Sequence, residues 1–120
     1  MNKKKILITD DDPAIKDALK QILEDEGYGV ETTADGSSVI KMHKELPDLL
    51  LLDIWMSGID GRDICRELKS HEKTKHIPII MVSAIKDTKG IAREAGADDF
   101  ITKPFEIDEL LKKVGQHLRD

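Results

Sequence analysis

The chain has 120 residues, 39% of them hydrophobic and 36% charged, a composition typical of globular proteins, and we expect residues 1–120 to form one domain. A net charge of -5 disfavours nucleic-acid binding by this chain alone, because phosphate backbones attract basic surfaces, so we expect its partners to be proteins. The single cysteine and the lack of an apolar run long enough for a signal peptide or a membrane span predict a cytoplasmic protein without a disulfide or membrane contact.

Three strands and two helices are predicted in the first half of the chain. Asp12 and Pro13 indicate a helix start, since an aspartate caps the free N–H groups of a first turn and proline fits its first position. The four consecutive leucines at 49–52 are typical of a strand covered on both faces. The predicted elements are a strand Lys4–Thr9, a helix from Pro13 that ends at Gly27, a strand Tyr28–Thr33, a helix that carries Val39, Ile40 and Met42 and stops near Pro47, and a strand Asp48–Leu52.

The second half repeats this alternation of strands and helices. Gly90 is expected to interrupt a short helix, because glycine is a poor helix former, and Gly96 to cap its end. The predicted elements are a loop Asp53–Asp60, a helix Gly61–Lys69, an exposed polar segment Ser70–His76, a strand Ile77–Val82, a helix Lys86–Ala95, a strand Asp99–Thr102, and a helix from Glu106 with Ile107, Leu110, Leu111, Val114 and Leu118 on one face.

Five strands that alternate with five helices favour a parallel sheet with helices on both sides. Right-handed crossovers restrict the possible topologies, and the common order for five such units is 2-1-3-4-5. The sequence therefore predicts a flavodoxin-like, doubly wound, five-stranded parallel α/β fold with strands 1 and 3 side by side.

In that strand order, the residues that follow each strand share one crevice, and these are Asp10, Asp11, Asp53, Ser83 and Lys103. Two aspartates about 5 Å apart repel by roughly 3 kcal/mol at an effective dielectric of 20, so three carboxylates together need a cation. Oxygen ligands favour a hard divalent ion, and Mg2+ suits best because it keeps several waters and shares its other positions with phosphate oxygens.

A carboxylate beside Mg2+ is a competent covalent acceptor of a phosphoryl group, and we interpret Asp53 as that acceptor. Lys103 would add a second cation. The Ser83 hydroxyl would hydrogen-bond a phosphoryl oxygen, a contact that exists only in the modified state and is therefore suited to a switch. Asp12 is assigned to helix capping instead.

Five runs of sequence are together highly specific: 6–13, 47–53, 58–61, 83–84 and 95–105. On these motifs the chain resembles the CheY-like receiver domains of two-component response regulators over essentially its whole length. The resemblance implies a phosphorelay switch and not an enzyme, apart from self-catalysed phosphotransfer and slow autodephosphorylation. It also implies a phosphohistidine donor on a sensor histidine kinase or a histidine phosphotransfer protein, and an unknown downstream protein as the output partner.

The same resemblance assigns roles to individual residues. It implies that Asp53 is the phosphoacceptor, that Asp11 binds Mg2+ directly and that Asp10 binds it largely through water. The implied remaining roles are a Mg2+ ligand for the backbone carbonyl of Trp55, a switch pair of Ser83 and Phe100, a phosphoryl-binding cation for Lys103, and a cis peptide bond before Pro104.

Three features depart from the family pattern: Ser57 where proline is frequent, a segment between Ser83 and Lys103 that is about two residues shorter, and Phe100 in place of a frequent tyrosine. Two other functions remain open. A Mg2+-dependent aspartyl-phosphate hydrolase would carry a second acid two residues after its nucleophile, where this chain has Trp55. A flavin-binding module would need backbone donors and hydroxyls after the first strand, where this chain is acidic.

Overall fold

A parallel sheet of five strands forms the centre of the fold in this computed structural model, which describes residues 3–34, 39, 46–56 and 59–118. The strands are β1 Lys5–Thr9, β2 Gly29–Thr33, β3 Leu49–Asp53, β4 Ile79–Ser83 and β5 Asp99–Thr102. Their order in the sheet is β2-β1-β3-β4-β5 and every neighbouring pair is parallel, so the predicted topology is confirmed.

Four helices are fully described: α1 Pro13–Asp25, α2 Gly61–Ser70, α3 Thr88–Ala95 and α4 Ile107–His117. The predicted helix between β2 and β3 lies outside the described residues except for Val39, which is buried in the core. Among the described residues, no helix combines the length and the apolar character that spanning a membrane would require.

Two apolar clusters pack against the sheet, one on each face. Alternate leucines of β3 point to opposite sides, as the two-residue period of a strand requires. Leu50 and Leu52 join the cluster formed with α2 and α3, whereas Leu49 and Leu51 join the cluster formed with α1 and α4. All four leucines are buried, which confirms that β3 is covered on both faces. Cys65 is an unpaired thiol in the first cluster, and burial raises its pKa to about 11.

The predicted helix start at Asp12 is confirmed. Its carboxylate accepts hydrogen bonds from the backbone N–H groups of Ala14 and Ile15, at 3.0 and 3.4 Å, and Pro13 occupies the first turn. At the end of α3, Gly96 has a φ of 86°, so the predicted glycine cap is also confirmed. These local signals set where α1 begins and α3 ends.

Two local predictions are wrong, and a third, the exposed segment Ser70–His76, is confirmed except at Thr74. Helix α3 is not interrupted at Gly90, because it begins only at Thr88 and the Asp87 side chain caps the N–H of Gly90 at 3.2 Å. Ile107 lies in the first turn of α4 and is 51% exposed, away from the buried face. Within the polar segment after α2, Thr74 is buried, because its hydroxyl donates to the Leu68 carbonyl at 2.6 Å and closes the end of that helix.

One lysine organises the amino-terminal edge of the sheet. The Lys69 ammonium donates to the carbonyls of Lys75 and Ile77, at 3.2 and 2.9 Å, and pairs with Asp98 at 2.6 Å. The same Asp98 oxygen accepts the N–H of Ile79, the first residue of β4, at 2.8 Å. These contacts join the end of α2 to the starts of β4 and β5.

Candidate functional site

Three aspartates converge at the carboxyl-terminal edge of the sheet, as the strand order predicts. Asp10 and Asp11 follow β1, and Asp53 is the last residue of β3, the strand beside it. One carboxylate oxygen from each of the three lies within 4.8 Å of those from the other two. Asp10 is only 3% exposed, Asp53 is partly buried and Asp11 is exposed, so the cluster runs from the interior to the solvent.

Lys103 follows β5 and reaches into the same cluster. Its ammonium lies 3.2 Å from an Asp10 oxygen and 3.9 Å from an Asp53 oxygen. Its backbone N–H donates to the Ser83 carbonyl at 2.8 Å, and the Lys103–Pro104 peptide bond is cis, as predicted. The sequence located Lys103 at this edge but did not indicate its ion pair with buried Asp10.

The chemistry of this donor set fits Mg2+. Among the residues that the structure describes, Asp10, Asp11 and Asp53 are the group of acidic, histidine or cysteine side chains able to hold a metal ion. They offer oxygen atoms only, which hard divalent cations prefer, and one side of the cluster opens to solvent for the waters that Mg2+ retains.

Burial raises the pKa of the Asp53 carboxyl from its ordinary value of 3.8 to about 6. The Lys103 ammonium acts against this rise, and the nearby Asp10 carboxylate adds to it. A backbone hydrogen bond from Trp55 lowers the pKa, and the Asp11 carboxylate raises it slightly. The metal-free site therefore holds the charged form of Asp53 at a cost in free energy.

We expect Asp53→Asn to be more stable than the native chain in metal-free buffer at about pH 8, and nearly equal to it at about pH 4. Because the pKa of Asp53 is higher in the folded state, the folded chain binds the proton more tightly, and stability falls as pH rises from about 4 to about 6. Asparagine does not ionise, so Asp53→Asn does not lose stability in this way. Urea unfolding of both chains with a chelator, from about pH 4 to about pH 8, measures the difference in their free energies of unfolding.

Asp17→Asn is the matched control, because Asp17 is an exposed residue of α1 outside the acidic cluster, and this variant should not gain stability over the native chain at about pH 8. A lower stability of Asp53→Asn than of the native chain at about pH 8 would contradict the prediction.

Ser83 and Phe100, the predicted switch pair, lie on neighbouring strands. Phe100 pairs with Met81 across β4 and β5, and Ser83 is two residues beyond Met81, so both side chains are on the same face of the sheet. The buried Ser83 hydroxyl accepts the N–H of Ile85 at 3.0 Å. The Lys113 ammonium lies 4.2 Å from the centre of the Phe100 ring and also donates to the Phe100 carbonyl.

The segment after Asp53 contains a feature that the sequence did not reveal. Trp55–Met56 pairs antiparallel with Ile59–Asp60 in a short two-stranded ribbon, where the sequence predicts only a loop. The Trp55 ring is 56% exposed, and the Arg62 guanidinium lies 5.6 Å from its centre. Arg62 is held there by Asp60, to which it donates at 2.6 Å. Ser57 lies outside the described residues, and the metal role of the Trp55 carbonyl stays a prediction.

Comparison with protein families identifies residues 6–115 as matching the model of the response regulator receiver domain. One curated relative is the DNA-binding dual master transcriptional regulator RpaA of Synechocystis sp., 39% identical over 118 residues that cover 96% of this chain and 49% of that protein. The chain spans about half the length of the curated relatives it matches.

Solved structures agree with the family match. A putative response regulator from Chloroflexus aurantiacus J-10-fl is 37% identical, with a TM-score of 0.91 and 98% of both chains covered. The response regulator protein TrrA from Thermotoga maritima, solved in complex with Mg2+-BeF, is 35% identical, with a TM-score of 0.85 and 96% of this chain and 99% of that one covered. By sequence and by fold, this chain belongs to the receiver domain family of response regulators, the signalling switches of two-component systems.

Proposed function

We propose that Asp53 accepts a phosphoryl group from a phosphohistidine of a partner protein, with Mg2+ held by Asp10, Asp11 and Asp53. The observation that carries this proposal is the convergence of three carboxylates and the Lys103 ammonium at one edge of the sheet. The similarity to TrrA, which was solved in complex with Mg2+-BeF, supports the proposal of Mg2+ as the metal. The donor would be a sensor histidine kinase or a histidine phosphotransfer protein.

The reaction forms a bond between an Asp53 oxygen and phosphorus and breaks the phosphorus–nitrogen bond of the donor, whose imidazole takes the electron pair. Asp10, Asp11 and Asp53 would hold Mg2+, which would supply positive charge that offsets the negative charge of the incoming phosphoryl group. Lys103 lies close enough to Asp53, at 3.9 Å, to stabilise the ionised nucleophile and then to contact a phosphoryl oxygen. Asp10 holds the Lys103 ammonium in this position through their contact at 3.2 Å.

The response to phosphorylation would begin at Ser83. Its oxygen accepts the N–H of Ile85, and a hydroxyl that accepts one hydrogen bond can also donate its hydrogen to a phosphoryl oxygen. A new hydrogen bond there would favour a different arrangement of the loop before α3 and of Phe100 on the same face of the sheet. We propose that the surface formed by α3, β5 and α4 then contacts a downstream protein.

Nucleic acid is not the proposed partner of this chain alone, since its net charge of -5 disfavours phosphate backbones. RpaA is a DNA-binding regulator, but this chain covers only 49% of that protein.

The alternative function, a Mg2+-dependent aspartyl-phosphate hydrolase, is weaker, because the position two residues after Asp53 is occupied by Trp55 instead of an acid. We also propose that the protein is located in the cytoplasm.

The fluorescence of Trp55, the only tryptophan of the chain, tests this proposal directly. We expect Mg2+ and then beryllofluoride, a phosphoryl mimic, each to change the signal of the native chain. Asp53→Asn should bind Mg2+ more weakly and lose the beryllofluoride response, since it lacks the acceptor carboxylate. Phosphoramidate, which carries a phosphorus–nitrogen bond, should add the mass of one phosphoryl group to the native chain and not to Asp53→Asn.

Asp63→Asn provides the control, because Asp63 is an exposed residue of α2 outside the cluster. It should respond as the native chain does. A native signal that neither Mg2+ nor beryllofluoride alters would refute the proposed site.

A further inference from the structure

Gly61, the first residue of α2, lies directly against the backbone that follows Asp53. The short ribbon turns the chain back, so that Trp55 pairs with Asp60 and the next residue reaches the end of β3. A Cβ atom on Gly61 would lie 2.2 Å from the Asp53 carbonyl oxygen, 2.9 Å from the Ile54 Cα and 3.0 Å from the Ile54 carbonyl oxygen. The Gly61 N–H donates to that Ile54 carbonyl at 2.5 Å.

All three atoms that a Cβ would meet belong to the backbone, so no rotation of a side chain can relieve the overlap. Ile54 is also fully buried, which leaves its backbone little room to move. The start of α2 is itself fixed, because the Asp60 carboxylate accepts the N–H of Arg62 at 2.9 Å. A side chain at position 61 must therefore displace either the helix or the segment after Asp53.

That segment joins Asp53, a proposed Mg2+ ligand, to Trp55, whose backbone carbonyl the family resemblance predicts to be a further ligand. We propose that Gly61 is a positioning residue for the metal site, an inference that rests on the proposed function. Because Gly61 has no side chain, the first turn of α2 holds the Asp53–Ile54–Trp55 backbone in the direction that lets both ligands face one ion. Gly61 itself does not touch the ion, and it acts only through the contact with this backbone.

The test compares Gly61→Ala with Gly115→Ala. Gly115 lies inside α4 and nothing is within 4 Å of a Cβ placed on it, so this variant adds the same methyl group to a helix without a contact. We expect Gly61→Ala to raise the Mg2+ dissociation constant about tenfold, as loss of ligand support does at other metal sites, and Gly115→Ala to leave it unchanged. The Trp55 fluorescence titration gives the constant, and the Mg2+-dependent rise in the urea midpoint gives an independent value.

The measurement separates failure of the positioning role of Gly61 from failure of the proposed function. If the native chain binds Mg2+ and Gly61→Ala binds it with the same constant, the positioning role is overturned while the metal site stands. If the native chain does not bind Mg2+, the proposed function fails and this inference fails with it. If Gly61→Ala does not fold, the double variant Gly61→Ala/Gly115→Ala is measured instead, because alanine at position 115 should stabilise α4. A double variant that is still unfolded would show that glycine at position 61 is needed for folding, and this would overturn the proposal.

Discussion

Replacement of Lys103 with methionine should strengthen Mg2+ binding and, at the same time, slow phosphoryl transfer to Asp53 by about 100-fold. The Lys103 ammonium lies 3.2 Å from Asp10 and 3.9 Å from Asp53, so it repels a cation bound by the same carboxylates. Methionine keeps the length of the side chain and removes the charge. The transfer slows because the phosphoryl oxygens lose one of their two positive partners. Trp55 fluorescence measures the affinity, and the rate of mass gain from phosphoramidate measures the transfer.

The same variant should lose about 3 kcal/mol of unfolding free energy in the presence of a chelator, because it leaves the Asp10 carboxylate buried without its ion pair. Mg2+ should restore much of that loss. Lys112→Met is the control, since Lys112 is an exposed residue of α4. It should change neither the Mg2+ affinity nor the free energy of unfolding. Weaker Mg2+ binding in Lys103→Met would show that the ammonium supports the metal site instead of competing with the ion.

Leu51→Ala should lower the free energy of unfolding by about 3 kcal/mol, within the range for large-to-small substitutions in a core. Leu51 is 1% exposed and belongs to the cluster that includes Leu19 and Leu23 of α1 and Leu110 of α4. The loss combines the transfer of apolar surface with the cavity left between sheet and helices. Urea unfolding at neutral pH, with an unchanged dependence on denaturant, measures it.

Ile107→Ala is the matched comparison, because Ile107 is 51% exposed on α4 and its truncation should cost less than about 0.5 kcal/mol. A similar loss in both variants would contradict the assignment of Leu51 to a covered strand face.

The topology and the location of the site follow from short-range patterns in the sequence. The leucines at 49–52 predict a strand that is covered on both faces, and that alone implies helices on each side of a parallel sheet. Once the strand order is fixed, the acids after β1 and β3 must meet, because the carboxyl ends of parallel neighbours share one edge. Asp12 predicts the start of α1 for an equally local reason, since its partners are two and three residues away.

The features that the sequence did not predict depend on contacts that only the folded chain shows, or on a local contact that outweighs a general propensity. The ion pair between Lys103 and Asp10 joins residues 93 positions apart, and only the folded chain shows which carboxylate the ammonium meets. Glycine weakens helices in general, so Gly90 suggested a break that the Asp87 cap prevents. The need for glycine at position 61 arises from a ribbon of two-residue strands, which is too short for an alternating pattern.

The Lys69 cluster at the opposite edge of the sheet has a consequence for long-range electrostatics. Strand β4 separates it from the acidic cluster, and five residues of strand span about 16 Å. Lys69 and Asp98 carry opposite charges 2.6 Å apart, so their two fields largely cancel at the distance of the acidic cluster. The charges around Lys69 and Asp98 therefore hold the architecture together without contributing to the potential that attracts a cation or a phosphate to the far end of the strands.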